Sequence, residues 1–560
     1  MKILTSVFLS LIVPAMAVAG PSDRLFYPEG TKVSLTARTE SGINAALPRI
    51  NEAFELGLDT TQLKYTEVKE SLAGKHYYFD QIINGVVVSG AEFVVSTNKS
   101  GKIIRIFNNV KKSSTPAGAK VKIPSVPLVS AQGAMDIAWR EIKANGELLQ
   151  KPSAKLSFNE KLQLIYTVSV STSSPFGHWD VTVDALNGKV LEVKDGALPR
   201  MKRAEAVSRT SGAPVSLSTA LRNFDAQNRK VFSPKGVKAI GTAKVFDPNP
   251  VVTLGRTDLQ DTTAAGEFAN AYVVEDLKDI TLANGVYSLV GPKVTLIDFE
   301  SPKVAPSTSD TGNWDFERKN VAFNDVMTYM HLDKNMRYIE SLGFVGAKVI
   351  FPKSVEVDAN GVNGQDNSHY IPSSRRLAFG HGCVDDNEDA DVILHELGHA
   401  IHHHINSRWN GGDTGAMGEG FGDYWAASYS ATLPGGLDTK PEWVFKWDGH
   451  NSCWDGRKLD AVKMKYDPKK SYYAHANVAD GISDELWSTP IFQAFLELYK
   501  SGVSRADIDK IILEAHFGLG SGMKMPEMAT SIVKTAKTLF PYKKYDQIYL
   551  KHFKTNNILQ

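Results

Sequence analysis

Cysteine is scarce in this sequence. Cys383 and Cys453 are the only two among 560 residues, and neither has a second cysteine close enough to form a CxxC metal or redox motif. In an exported chain the two could pair, and the alternative of two separate buried thiols stays open on spacing alone. An excess of charge of one sign is missing as well. The 63 Lys and Arg residues face 62 Asp and Glu, a formal net charge of +1, so no global field attracts nucleic acid or an anionic membrane. Beyond the N-terminus, no run approaches the roughly 18 uninterrupted apolar residues of a transmembrane helix. Internal repeats and low-complexity tracts are also absent.

What is present is ordinary globular material: 42% apolar and 22% charged residues, enough to build sizeable cores. The length suggests about two to four domains. The first 19 residues read as an address. Lys2 supplies a positive start, residues 3–13 are almost all apolar, and Ala17-Val18-Ala19 fits a small-x-small cleavage site. A removed signal peptide over 1–19 and a secreted chain with no membrane anchor afterwards are expected.

The rest divides near residue 200. Before it, residues 77–83 and 86–95 are β-rich runs joined by Asn84-Gly85, a hairpin signal. Residues 102–107 add a strand. Residues 130–144 carry Ala131, Ala134, Ile137, Ala138 and Ile142 on one helical stripe. Strands return around 162–170 and 178–183, and Asn187-Gly188 turns into 189–193. The seam at 198–204 holds Arg200, Lys202 and Arg203 and reads as an exposed linker and processing site. After it, β and loop sequence runs to about 312, then a helix is expected from Trp314 to about Leu342 with Gly343 as its stop. Val349-Ile350-Phe351 and Leu377-Ala378-Phe379 are strand candidates, the latter as an edge, and beyond 389 the pattern is mainly helical. The fold class is therefore α+β.

The strongest chemical signal is His395-Glu396-Leu397-Gly398-His399. On a helix, residues four apart share a face, so both imidazoles can reach one ion. Zinc accepts such nitrogens at about 2.0–2.1 Å, and Glu396 projects beside the metal, where it can take a proton from water. A catalytic zinc needs a third protein ligand. Twenty residues after His399 stands Glu419, in Gly418-Glu419-Gly420-Phe421-Gly422-Asp423, opening the apolar run Tyr424-Trp425-Ala426-Ala427. Carboxylates facing such a segment need partners. Glu419 as ligand and Asp423 as acceptor from a ligand histidine supply them. A histidine third ligand of the metzincin kind fails, because His402 and Ile405 stand where Gly and His are required. His402, His403 and His404 continue the same helix about 5 Å further along and are read as surface or supporting residues.

At this spacing the two motifs resemble the gluzincin clan and, within it, the fungalysin family, with thermolysin-type peptidases as cousins. Asn320 to His331 resembles the long helix that precedes the active site in that family. Residues from about 58 to 108 resemble the fungalysin/thermolysin propeptide, and about 128 to 196 a PepSY-like module. The resemblance implies a prodomain over 20–200 and a zinc metallopeptidase domain over 201–560. That domain would be a zincin unit of two lobes, a β-containing N-lobe and a mainly α-helical C-lobe. It also implies an endopeptidase made as a zymogen, acting on proteins and peptides, with its own prodomain as intramolecular inhibitor or chaperone. Preference for a bulky apolar residue after the scissile bond comes with it.

Family roles carry over residue by residue. His395, His399 and Glu419 match the metal ligands, Glu396 the general base and Asp423 the carboxylate that orients a ligand histidine. Asp391 matches an acidic position supporting the zinc shell. Asn367 and Ser368 match a pair that bonds the substrate backbone, and His475 is the best match for the histidine that stabilises the oxyanion. The acidic run 385–389 could bind calcium but lacks EF-hand spacing. Two alternatives remain beside the endopeptidase: an aminopeptidase of the same clan, although no GxMEN motif is evident, and a zinc-bearing binding or adhesion protein without turnover.

Overall fold

Asn84 and Gly85 both take positive φ, 49° and 83°, as a type I′ hairpin turn requires. They join strands Gly74–Ile83 and Val86–Asn98. The computed structural model describes residues 24–28, 33–111, 123–201, 215–228 and 236–560; the expected signal peptide and residues 202–204 of the basic seam lie outside them. Among the described residues no helix is long and apolar enough to cross a membrane.

The first section is one nine-stranded sheet built from two modules. In the first module, helix Glu40–Ala53 packs Ile43, Leu47 and Ile50 onto Tyr77, Phe79, Phe93 and Val95. In the second, helix Ala131–Glu141 starts at Ser130, whose hydroxyl caps the Gly133 amide at 3.0 Å. It lays Ala134, Ala138 and Trp139 over Val168, Val170, Val181 and Val183. Among the described residues, the strands of the two modules pair in parallel at Val88 with Phe158.

The second section carries two five-stranded sheets followed by helices, so the chain is mixed α and β throughout. Helix Val321–Ser341 is shorter than its sequence pattern. Trp314 lies in a two-residue strand, Lys319 turns at φ 67°, and Asn320 caps the helix through the Ala322 amide at 2.9 Å. The strand expected at 349–351 does not form. Ile350 and Phe351 bury themselves in the core without backbone pairing, and the strand is Val355–Asp358. Leu377-Ala378-Phe379 does lie in a strand, Arg376–Phe379, but not at the edge. Strand Ser368–Ile371 lies outside it, and outside that again lies Leu198–Pro199 from the seam. The pairing is antiparallel, Leu198 with Tyr370 and Pro199 with His369.

The two sections share a core. Tyr78, Val94 and Phe107 of the first module join the hydrophobic cluster of the C-terminal helices. Glu514 on helix Arg505–Ala515 accepts from the Ser71 hydroxyl at 2.6 Å and the Leu72 amide at 2.8 Å. In the second module, His178 donates to Glu300 at 2.7 Å, and His369 donates to the same oxygen at 2.9 Å.

Candidate metal centre

Helix Ala390–Ile405 begins at Asp389, whose carboxylate accepts from the Asp391 amide at 3.0 Å. It crosses helix Thr414–Ala431 where both have glycine. A Cβ on Gly398 would stand 2.7 Å from the Gly422 Cα, and one on Gly422 would stand 2.5 Å from His395 Nδ1. The glycines in the Glu419 motif thus let the helices approach until their polar side chains converge.

Those side chains are His395, His399 and Glu419. His395 Nε2 is 3.2 Å from Glu419 Oε2, and His399 Nε2 is 3.4 Å from Glu419 Oε1. All three residues are buried. His395 Nδ1 donates to Asp423 Oδ1 at 3.0 Å, which fixes the tautomer and points the Nε2 lone pair inward. Burial, with Arg457 nearby, holds His395 well below the usual imidazole range. Burial and then His395 do the same for His399. Both rings are therefore neutral, the form that ligates metal. Burial lifts Glu419 to about 8 against the pull of His475, so this carboxylate calls for positive charge beside it. His399 Nε2 and Glu419 Oε2 have no hydrogen-bond partner, and leaving a buried polar atom unsatisfied costs roughly 1–3 kcal/mol. Two nitrogens and a carboxylate aimed at one point fit a zinc ion.

Glu396 is fully buried beside them. Its Oε1 accepts from the Ser368 hydroxyl at 2.9 Å, while Oε2 has no partner. Burial first and the Glu419 charge second raise its pKa well above the ordinary carboxylate range. His475 donates from Nδ1 to Asp484 at 2.8 Å and from Nε2 to the Pro199 carbonyl at 2.9 Å. Burial opposes its charge, but Glu419 and Asp484 prevail and lift it to about 9. With both nitrogens donating, the ring is an imidazolium.

The seam runs through this cleft. The Arg200 amide donates to the Ser368 carbonyl at 3.0 Å. Asn367 Oδ1 accepts from the Met201 amide at 3.1 Å, and its Nδ2 donates to the Met201 carbonyl at 3.0 Å. Asn367 and Ser368 thus hold a passing backbone. Asp391 sits one step further out. It accepts from the Ser430 hydroxyl and from the Phe445 amide at 3.1 Å, and the Phe445 ring packs edge-on against His395. The acidic run 385–389 meets protein donors: Asp385 takes Asn324, Glu388 takes Arg318, and Asp389 takes Asn249 and the Trp447 amide. Cys383 and Cys453 are joined in a disulfide.

His402 differs from its surface reading. It is buried between Phe421, Trp409 and His516, with Nε2 2.8 Å from His516 Nε2. His403 meets the Tyr370 hydroxyl at 3.1 Å, and His404 meets the Ala400 carbonyl at 2.8 Å. None of the three joins the ligand group.

Residues 62–110 match the Fungalysin/Thermolysin Propeptide Motif. Bacillolysin of Bacillus amyloliquefaciens is 24% identical over 229 residues, which cover 38% of this chain and 43% of that protein. The chain is related to the fungalysin/thermolysin-type metallopeptidases. Extracellular elastase of Staphylococcus epidermidis is 23% identical over 32% of this chain and 37% of its own length. Neutral protease B of Bacillus subtilis is 22% identical over 70% of this chain and 61% of its own length. The chain thus spans less than two thirds of each of these relatives. The precursor of protealysin from Serratia proteamaculans superposes with a TM-score of 0.34 at 15% identity, over 46% of this chain and 84% of that one.

The site also contains two residues that carry no role in the sequence reading. Arg457 is buried, donates to Asp423 at 2.8 Å and reaches the Arg200 carbonyl at 3.0 Å. Asp484 anchors His475 through both its ring and its backbone amide. Arg457 opens the two-residue strand Arg457–Lys458, too short for any periodicity to mark it. Asp484 opens helix Ser483–Lys500, and a first-turn acid there has an ordinary explanation in the helix dipole.

Proposed function

We propose that this chain is a secreted zinc-dependent endopeptidase made as a zymogen. In this reading residues 1–19 are a signal peptide, 20–200 a prodomain with a PepSY-like second module, and 201–560 a two-lobed zincin catalytic domain. The observation that carries the reading is the convergence of His395, His399 and Glu419, with unpartnered buried atoms, beneath a backbone whose carbonyl is held by His475.

His395, His399 and Glu419 would hold zinc, with Asp423 and Arg457 fixing the first ring and Asp391 steadying Phe445 behind it. The ion, when bound, supplies a Lewis acid that polarises the scissile carbonyl and acidifies water. Glu396 takes the proton of the attacking water and returns it to the leaving amine. His475, charged and braced by Asp484, donates to the oxygen on which negative charge develops. Ser368 and Asn367 align the chain on the leaving-group side by adding it as a strand to the sheet edge.

Endopeptidase is favoured over aminopeptidase because the cleft holds chain on both sides of the Pro199 carbonyl, from Leu198 to Met201. The seam in the cleft supports inhibition in cis. Mature protein purified after secretion should cleave a denatured protein internally, and a chelator should abolish this. Glu396→Gln should retain zinc yet lose about 10²–10⁴-fold in rate. Full turnover by that variant overturns the mechanism, and zinc-loaded protein that cleaves nothing favours the binding-protein alternative. N-terminal sequencing of the secreted form tests export and zymogen status together.

A further inference from the structure

The side chain of Arg200 is fully buried in the second section of the chain. Its Nη1 pairs with Asp448 Oδ2. Nη2 lies 3.2 Å from Asp386 Oδ2 and 3.6 Å from Asp366 Oδ1. The guanidinium carbon stands 4.7 Å from the centre of the Trp454 ring and 5.7 Å from that of Phe445. Asp386 and Asp448 are themselves buried. Two loops therefore form a slot with a flat aromatic wall and carboxylates at its end. The Cys383–Cys453 disulfide ties together the two loops that carry Asp386, Asp448 and Trp454.

The backbone contacts give this slot its place in the reaction. His475 holds the Pro199 carbonyl oxygen, and the next amide, that of Arg200, donates to Ser368. Arg457 holds the Arg200 carbonyl. The bond presented is Pro199–Arg200, and Arg200 is the first residue on its leaving-group side.

We propose that the enzyme selects arginine immediately after the scissile bond, and that Pro199–Arg200 in its own chain is the first bond it cuts. This rests on the peptidase reading above. Water adds its oxygen to the Pro199 carbonyl carbon, the C–N bond breaks, and Arg200 leaves as the new N-terminal amine with the proton. An apolar side chain in the slot would leave two buried carboxylates facing hydrocarbon, which is costly. Lysine would bring the charge without the planar fork that meets two carboxylates and stacks on tryptophan. The apolar preference implied by family resemblance is therefore replaced here by a basic one.

The test uses the secreted, processed enzyme and quenched-fluorescent peptides that differ only at the residue after the scissile bond. Arginine should exceed leucine and phenylalanine by at least about 30-fold in kcat/KM, as expected for a buried charge pair, and should also exceed lysine. Asp448→Asn should lower the arginine-to-leucine ratio at least tenfold. Sequencing should find Arg200 at the new N-terminus. Arg200→Leu in the full chain, which leaves the slot's own residues intact, should slow processing at that bond. Hydrolysis that favours leucine over arginine, or processing of Arg200→Leu at the wild-type rate, overturns the arginine proposal and leaves the peptidase reading standing. Hydrolysis of none of the peptides, with the chain secreted and zinc-loaded, overturns the peptidase reading itself.

Discussion

Gly422 lies directly under His395, so close that a Cβ there would stand 2.5 Å from the ring Nδ1. Gly418, one turn earlier on the same helix, would place a Cβ no nearer than 3.6 Å to any neighbour, an ordinary contact. Gly422→Ala should therefore displace the ring from Asp423 and weaken zinc binding by about 10–100-fold, the range seen when ligand orientation is disturbed. Gly418→Ala should bind zinc as the wild type does. Zinc content after dialysis against graded chelator distinguishes the two. Equal retention would show that His395 is not positioned by this crossing.

Asp423 and Asp391 are both buried near His395 and should behave differently. Asp423 accepts the ring proton directly, whereas Asp391 reaches the ring only through the Phe445 amide. Asp423→Asn should cost about 10–100-fold in zinc affinity. Asp391→Asn should show mainly in stability, losing about 1–3 kcal/mol because buried donors lose a charged acceptor. Competition with a chromophoric chelator and thermal denaturation give the two readouts. Asp391→Asn matching the zinc loss of Asp423→Asn would place Asp391 closer to the metal than the hydrogen bonds do.

The convergence of His395, His399 and Glu419 was legible because the three sit on two helices, where i,i+4 spacing and an apolar flank fix direction without tertiary knowledge. The propeptide hairpin was legible for a similar local reason, since Asn84-Gly85 encodes its own turn. Arg457, Asp448 and Trp454 were not, because they come from a two-residue strand and the loop before it, whose sequence has no period and whose partners lie on other elements. Val349-Ile350-Phe351 misled in the opposite way: a β-prone run followed by proline enters the core with no strand beside it. The burial of His402 depended on His516, 114 positions away, and no pattern within its own helix announces that contact.

In the proposed mechanism His475 acts on charge that appears only during reaction. Its imidazolium is fixed at both ends, by Asp484 and by the carbonyl in the cleft. His475→Ala should lower kcat by about 10²–10³-fold, as removal of one oxyanion donor does, while zinc content stays at one ion per chain. A rise in KM with kcat unchanged would instead make His475 a ground-state binding residue.

Glu514 should make docking of segment 71–73, part of the proposed prodomain, depend on pH. Burial pushes its carboxyl up to about 7, although Ser71 and the amides of Leu72 and Ala73 pull the other way. Undocking segment 71–73 returns the group to water and to the ordinary carboxylate range. The docked state therefore holds a proton that the free state gives up. Docking gains from Glu514 in full below about pH 4.5, and that gain of about 3 kcal/mol is lost as pH rises to about 7. His76, which stacks on Phe517, works in the opposite sense, because burial followed by the Arg105 charge holds it neutral when docked. Glu514→Gln removes only the first effect. The wild-type prodomain dissociation constant divided by that of the variant should rise between pH 5 and 7.5 and then level off, with the His76 contribution cancelling in the ratio. Recovery of activity from the processed, still-associated complex measures it. A ratio that stays flat with pH would show that Glu514 is already ionised in the docked state.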